Sequence, residues 1–149
     1  IRSFNKKNIS FEEIKKLSSN IKQIQLDELF IQGIASGSRS IIKECGVSIN
    51  NSADAYMLLQ TAKRYSKILI KTLEKKTERS VSSLVEDFLP KYLFKQKNNF
   101  EKIIKNANLE KIITINKLIQ KAELLLRQND VNYFFVIQRF LLNLAKILR

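Results

Sequence analysis

The segment that decides the fold lies at residues 130–149 and reads DVNYFFVIQRFLLNLAKILR. Its apolar residues recur at helical spacing and form two adjacent stripes along one predicted helix. The first stripe consists of Phe134, Ile137, Leu141, Leu144 and Leu148, and the second consists of Tyr133, Val136, Phe140 and Ile147. A helix that is apolar over this much of its circumference is either deeply buried or shared with a partner.

The preceding residues, 108–128, predict a second long helix, which Asn108 caps, and Asp130 caps the helix after it. Together the two helices carry more apolar surface than one small domain buries comfortably, and no catalytic set of residues accompanies them. We therefore predict assembly with other subunits. The candidate partner-interface residues, which the sequence does not divide between core and interface, are Phe134, Phe135, Ile137, Phe140, Leu141, Leu144 and Leu148.

The N-terminal part of the chain predicts two short helices. Ser10 and Glu13 have the spacing of a capping box, which opens a helix over residues 11–17. The polar run at residues 18–20 ends this helix, and a second one follows over residues 26–35. The first helix is expected to turn Phe11, Ile14 and Leu17 inward, and the second to hold Asp27 and Glu28 near its positive end.

Glycine and proline divide the middle of the chain. Gly37 breaks the chain before a short helix that ends at Gly46, which is expected to be a left-handed cap. A long helix follows over residues 53–76, a short helix stops before Pro90, and residues 91–106 predict the next one. Because no alternating strand pattern occurs, the sequence predicts an all-α bundle of about five main helices plus short N-terminal helices.

Two of these helices separate basic from apolar residues. Lysines recur every four residues on the helix over residues 53–76, and a similar row follows on residues 91–105. Such rows are typical of phosphate binding, of a solvated face, or, for residues 91–105, of a helix that lies on a membrane surface. The candidate phosphate contacts are Lys63, Lys67, Lys71, Lys75, Lys91, Lys95, Lys102 and Lys105.

The composition excludes most familiar enzyme chemistry. The chain has no histidine, which removes the usual general base and the commonest zinc ligand. It also lacks the glycine-rich loops that bind nucleotide phosphates. The formal net charge of +13 favours a polyanion partner, although the abundance of Lys, Ile and Asn also fits an AT-rich genome. We predict that this part of the protein is not an enzyme and binds no cofactor or metal.

Length and cysteine usage place the chain among single cytoplasmic domains. The length of 149 residues fits one domain, and the single cysteine, Cys45, has no partner for an internal disulfide. Neither a signal peptide nor an apolar stretch of about 18 residues is present, so we expect a cytoplasmic protein without a membrane segment. The chain begins at Ile1 instead of methionine, and we expect it to be a fragment of a longer protein.

Four short motifs follow one another along the chain. They are ISFEEI at residues 9–14, LDELF through IASG at residues 26–37, LPKYLFK at residues 89–95, and LIQKAE at residues 118–123 with Arg127 after it. In this order, and with an apolar terminal helix behind them, they resemble the C-terminal collar domain of the delta subunit of the bacterial DNA polymerase III clamp loader. LPKYLFK, which is similar to a box that starts one of the collar helices, is the most specific of the four.

The resemblance implies a division of labour. Residues 1–24 would end an AAA+-like lid region, and residues 25–149 would form the helical collar that assembles a hetero-pentamer with the other clamp-loader subunits. In that family other subunits hydrolyse ATP, and delta opens the sliding clamp with an N-terminal domain that this fragment does not contain. DNA contact by the collar is expected to be weak. The alternatives are delta-prime or another clamp-loader collar, and a free-standing basic module that binds DNA or RNA through its lysine rows.

Overall fold

The computed structural model describes residues 10–128 and 131–149. These ranges contain seven α-helices and one 3₁₀ helix and no strand, which confirms the all-α bundle. The elements are α1 (Phe11–Ser36), α2 (Ser38–Ser48), α3 (Ser52–Lys75), α4 (Val81–Phe88), a 3₁₀ helix (Lys91–Gln96), α5 (Lys97–Asn106), α6 (Leu109–Leu126) and α7 (Tyr133–Leu148).

Helix α1 is continuous from end to end. The capping box is confirmed, because the Ser10 hydroxyl accepts from the Glu13 amide at 3.2 Å and the Glu13 carboxylate accepts from the Ser10 amide at 3.0 Å. The predicted break at residues 18–20 is wrong. The Ser19 hydroxyl donates to the Lys16 carbonyl at 2.9 Å within the helix, and no glycine or proline interrupts the backbone there.

The first turns of α1 extend beyond the core. Phe11, Ile14 and Leu17 were expected to face inward, but they are between one-half and four-fifths exposed, since no other helix of the described residues covers them. The fully buried part of α1 begins only at Leu26. Residue 9, which opens the first motif, lies outside the described residues, and the division between residues 1–24 and 25–149 stays a prediction.

Glycine and proline meet the predictions in part, since α4 ends at Phe88, before Pro90, as predicted. Gly37, with a φ of 114°, separates α1 from α2 as predicted. Gly46 is not a left-handed cap, since α2 runs through it to Ser48. Residues 91–106 are not one helix, because the Leu93 amide bonds the Pro90 carbonyl at 2.9 Å in a tighter 3₁₀ turn before α5 begins.

Local capping fixes the start of the last two helices. The Asn108 side chain accepts from the Lys111 amide at 2.8 Å at the start of α6, as predicted. The cap predicted at Asp130 lies outside the described residues. Asn132 supplies the cap instead, because its side chain accepts from the Phe134 amide at 3.0 Å.

The core is centred on the second half of α1, which packs against α2, α3, α5, α7 and the 3₁₀ helix. Three aromatic rings from three helices meet there. Tyr65 stacks on Phe30 with ring centroids 4.8 Å apart and meets Phe100 edge to face at 5.9 Å. Helix α6 packs on α3, and α7 packs against α1, α2, α3 and α6. Only the outward faces of α6 and α7 lie at the surface, with the core behind them.

Candidate assembly surface

Most of the apolar face of α7 is buried in the core of the chain itself. The apolar face predicted from the sequence turns inward, which leaves little of it for a partner. Of the seven candidate interface residues, the structure buries five in the core, namely Ile137, Phe140, Leu141, Leu144 and Leu148. Phe134 packs against that core and is half-buried. Only Phe135 points outward.

Phe135 is the exposed aromatic residue of this helix. Its side chain is 64% exposed, and its ring meets that of Phe134 edge to face with centroids 6.0 Å apart. Both residues lie in the first turn of α7, which Asn132 caps. The ring is therefore carried by a capped helix whose opposite face is buried in the core.

Phe135 forms one side of a groove between α6 and α7. The groove has a volume of about 230 Å³, and its surface is more apolar than polar. Its lining residues are Leu118, Lys121, Ala122 and Leu125 of α6 and Phe135, Val136, Arg139, Phe140 and Asn143 of α7. An apolar depression beside an exposed aromatic ring is a typical feature of a protein-binding surface.

The charges of this groove have one sign. Lys121 and Arg139 are exposed and line it, and none of the lining residues is acidic. Within the described ranges neither side chain forms an ion pair. The motif LIQKAE lies on the same helix, but its Glu123 points to the other side and pairs with Lys63 on α3 at 2.5 Å. The groove therefore combines apolar walls with a cationic edge.

The lysine row of α3 is less uniform than its spacing suggests. Lys63 is tied to Glu123, and Lys75 lies over the Phe88 ring with its Nζ 5.5 Å from the centroid. Lys67 and Lys71 are exposed and have no acidic partner among the described residues. Four residues exceed one helical turn, so the row winds around α3: Lys63 is half-buried, whereas the three lysines after it are exposed.

The second lysine row is divided between two elements. Lys91 and Lys95 belong to the 3₁₀ helix, whereas Lys102 and Lys105 belong to α5, and all four are exposed. Lys105 pairs with Glu101 at 2.8 Å, which holds the pKa of that carboxyl below its usual range. Four apolar residues of this segment are buried in the core, namely Leu93, Phe100, Ile103 and Ile104, whereas Phe94 is 64% exposed. Residues 91–105 therefore do not form the one continuous amphipathic helix on which the membrane-surface hypothesis relied.

A buried polar cluster joins three elements and was missed by the sequence prediction. Asp27 was expected near the start of a helix, but it lies within α1 and is fully buried. Its carboxylate accepts hydrogen bonds from Gln23 of α1 at 3.1 Å, from Arg64 of α3, and from the hydroxyl of Tyr92 at 2.6 Å. Burial and the hydrogen bond to Asp27 raise the pKa of Tyr92 to about 12. Arg64 lies 37 positions from Asp27, so no local pattern announces the pair.

Cys45 and the acidic side chains of the described residues do not form a reactive site. Cys45 is buried, and desolvation, together with the charge of Glu44, raises the pKa of its thiol to about 12. Residues 10–128 and 131–149 contain no cluster of histidine, cysteine and acidic side chains able to hold a metal ion. In the same ranges no helix combines the length and the apolar character needed to cross a bilayer.

Comparisons of the chain with protein-family models, with curated proteins and with solved structures gave no match. Function is therefore inferred from the geometry above and from the order of the sequence motifs.

Proposed function

We propose that this chain is a non-catalytic assembly module and that it forms the C-terminal collar of a delta subunit of a bacterial DNA polymerase III clamp loader. The observation that carries the assembly proposal is the α6–α7 groove with Phe135 exposed beside it. The order of the four sequence motifs supports the choice of clamp loader. In this role the bundle joins neighbouring subunits into a ring-shaped hetero-pentamer.

The geometry suits such a role because the exposed anchor is rigidly supported. Aromatic residues at the centre of an interface commonly contribute much of the binding energy, provided that they are held in place before binding. Ile137 and Leu141 hold α7 from behind, so the helix that carries Phe135 is already in place before a partner covers it. An interface of ordinary size would bury about 1,600 Å² in total, which is more than the groove alone provides. Leu124 of α6 is also exposed, although it does not line the groove.

In this proposal the chain is part of a rigid frame for the other subunits and performs no chemistry itself. Other subunits hydrolyse ATP, the sliding clamp is reached through an N-terminal domain of delta, and the collar holds the moving parts together. A cytoplasmic location fits replication and also fits the lone cysteine, which has no partner within the chain. DNA contact by this part is weak.

Co-purification tests the proposal. The chain is co-expressed with the ATPase and delta-prime subunits of the same clamp loader and carries an affinity tag. We expect a stoichiometric complex, which Phe135→Asp weakens because it strands a charge in the joint. Leu109→Asp is the matched control, since Leu109 is equally exposed at 64% but does not line the groove. Failure of the unmodified chain to associate with any of these subunits would refute the clamp-loader assignment.

The alternative is a basic helical module that binds DNA or RNA. Lys67 and Lys71 favour it, because both are exposed on α3 without an acidic partner in the described part of the chain. Lys63 and Lys75 contribute less than the sequence suggests, since one pairs with Glu123 and the other lies on Phe88. Two to four phosphate contacts give binding that is weak and sensitive to salt.

A further inference from the structure

The groove between α6 and α7 has a chemistry that restricts its occupant. Its walls are apolar, and its two charged lining residues, Lys121 and Arg139, are both cations. Phe135 is exposed beside it and adds a large apolar surface. An occupant therefore has to bury apolar side chains and, at the same time, meet positive charge.

A second copy of the chain does not fit this requirement. In a symmetric dimer the same patch meets itself, which would bring Lys121 and Arg139 of one copy close to the same cations of the other. Like charges that face each other across an interface are destabilising, and the formal net charge of +13 adds a general repulsion. Self-association through the groove is therefore disfavoured at low ionic strength.

We infer that the groove binds an amphipathic helix of a partner protein that carries one or more apolar anchors flanked by carboxylates. The apolar anchors would lie on Val136 and Leu125, beside the ring of Phe135, and the carboxylates would pair with Lys121 and Arg139. Helix-in-groove binding of this kind relies on apolar residues one turn apart for affinity and on flanking charges for selectivity. This inference rests on the proposed assembly function and specifies the chemistry of the partner.

Designed peptides test the groove without any clamp-loader subunit. Three helical peptides of about 18 residues share one leucine stripe and differ only in their flanking positions, which are Glu, Gln or Lys. Each is titrated into the ¹⁵N-labelled chain and followed by heteronuclear NMR. We expect shifts confined to α6 and α7, and binding of the Glu peptide at least about 10-fold tighter than that of the Gln peptide, with the Lys peptide weakest.

Charge reversal provides the decisive control. The double variant Lys121→Glu and Arg139→Glu should prefer the Lys peptide, and an unfolded or damaged protein could not give such a reversal. Phe135→Ala should weaken all three peptides together, because it removes the shared apolar contact. Lys67→Glu, on the exposed middle of α3, should leave the order of the peptides unchanged.

Several outcomes would overturn the inference. Equal affinity for the three peptides, shifts located outside α6 and α7, or a concentration-dependent dimer that Phe135→Asp abolishes would each do so. Shifts in the groove caused by a single-stranded oligonucleotide, with none caused by the Glu peptide, would also do so. Because no cognate subunit takes part, success here combined with failed co-purification would preserve the groove and remove only the clamp-loader assignment.

Discussion

The hydroxyl group of Tyr92 donates a 2.6 Å hydrogen bond to the buried carboxylate of Asp27. This contact ties the 3₁₀ helix, which carries most of the LPKYLFK motif, to the middle of α1. Arg64 binds the same carboxylate from α3, so one buried charge holds three elements in register. The carboxylate is fully buried, whereas the side chain of Arg64 is 42% exposed. Removing the charge of Arg64 should therefore lower the stability of the fold by a different amount than removing the charge of Asp27.

Arg64→Met is expected to destabilise the fold more than Asp27→Asn. The first variant leaves a buried carboxylate with only neutral donors, at a cost of about 2–4 kcal/mol, whereas the second costs about 1 kcal/mol because Arg64 can turn to water. The double variant Asp27→Leu and Arg64→Met should be more stable than Arg64→Met alone, since no buried charge remains. Urea unfolding measures all of these, and a larger loss for Asp27→Asn than for Arg64→Met would contradict the described asymmetry.

Tyr65→Phe should leave stability unchanged or raise it by up to about 1 kcal/mol. The Tyr65 hydroxyl is buried and is the one such side-chain atom in the described residues without a hydrogen-bond partner. Burial also raises its pKa well above the usual range. Removing an unsatisfied polar atom relieves its desolvation cost while the stacked ring stays. A loss of more than about 1 kcal/mol in thermal or urea unfolding would show that the hydroxyl has a partner, for example a buried water.

Alkaline pH should destabilise the chain partly through Cys45. Its thiol has a raised pKa of about 12 in the folded protein, so the unfolded chain loses the proton first as the pH rises above 9. Folded stability must therefore fall with pH, by about 1 kcal/mol between pH 9 and 10 for this group. Cys45→Ala should be less stable at neutral pH but should lose less over that interval. If the two proteins, measured with reductant present, lost the same stability between pH 9 and 10, the thiol would not contribute to the alkaline destabilisation.

The exposed lysines of α3 should dominate any nucleic-acid binding. Lys67→Glu with Lys71→Glu should reduce the affinity for a single-stranded oligonucleotide and its salt dependence, because each lost phosphate contact lowers the slope by about one. Lys63→Glu should have a different effect, since it breaks the pair with Glu123 and lowers stability slightly. Fluorescence anisotropy at several salt concentrations distinguishes these cases. Sequence-specific binding that persists at about 200 mM salt would favour the nucleic-acid alternative over assembly.

The sequence predicts this fold well where its signals are local. Asn108 accepts a hydrogen bond from a backbone amide three residues ahead, and Ser10 does the same, so a short pattern is enough to locate both helix starts. The apolar period of α7 likewise identifies the residues that enter the core. The break predicted at residues 18–20 is wrong, because serine and asparagine lower helix stability only slightly and α1 contains no glycine or proline there.

The candidate site is less predictable because it depends on packing between distant residues. The period of α7 leaves Phe135 off both apolar stripes, but it does not reveal that Phe135 lines a groove shared with α6. Nor does the spacing of the α3 lysines reveal that Lys63 meets Glu123, 60 positions away on α6. Such contacts depend on how α3, α6 and α7 pack against one another. Periodicity in the sequence predicts the helices but not their arrangement in space.

Two residues on opposite faces of α7 allow folding stability to be tested separately from association. Leu141 is fully buried, so Leu141→Ala should lower the free energy of unfolding by about 2–5 kcal/mol. Phe135→Asp should leave the melting temperature nearly unchanged, because the side chain is mostly exposed. Circular dichroism melts measure both. A large loss for Phe135→Asp would place that ring in the core and remove it from the proposed interface.

The collar proposal is tested most directly by the dissociation constant between this chain and the reconstituted remainder of its clamp loader. We expect specific binding, and we expect Phe135→Ala to raise the dissociation constant by about 30-fold, as for an aromatic residue central to an interface. The melting temperature of the isolated chain should not change. Absence of binding by the unmodified chain, or the same dissociation constant for the unmodified chain and Phe135→Ala, would contradict the collar proposal.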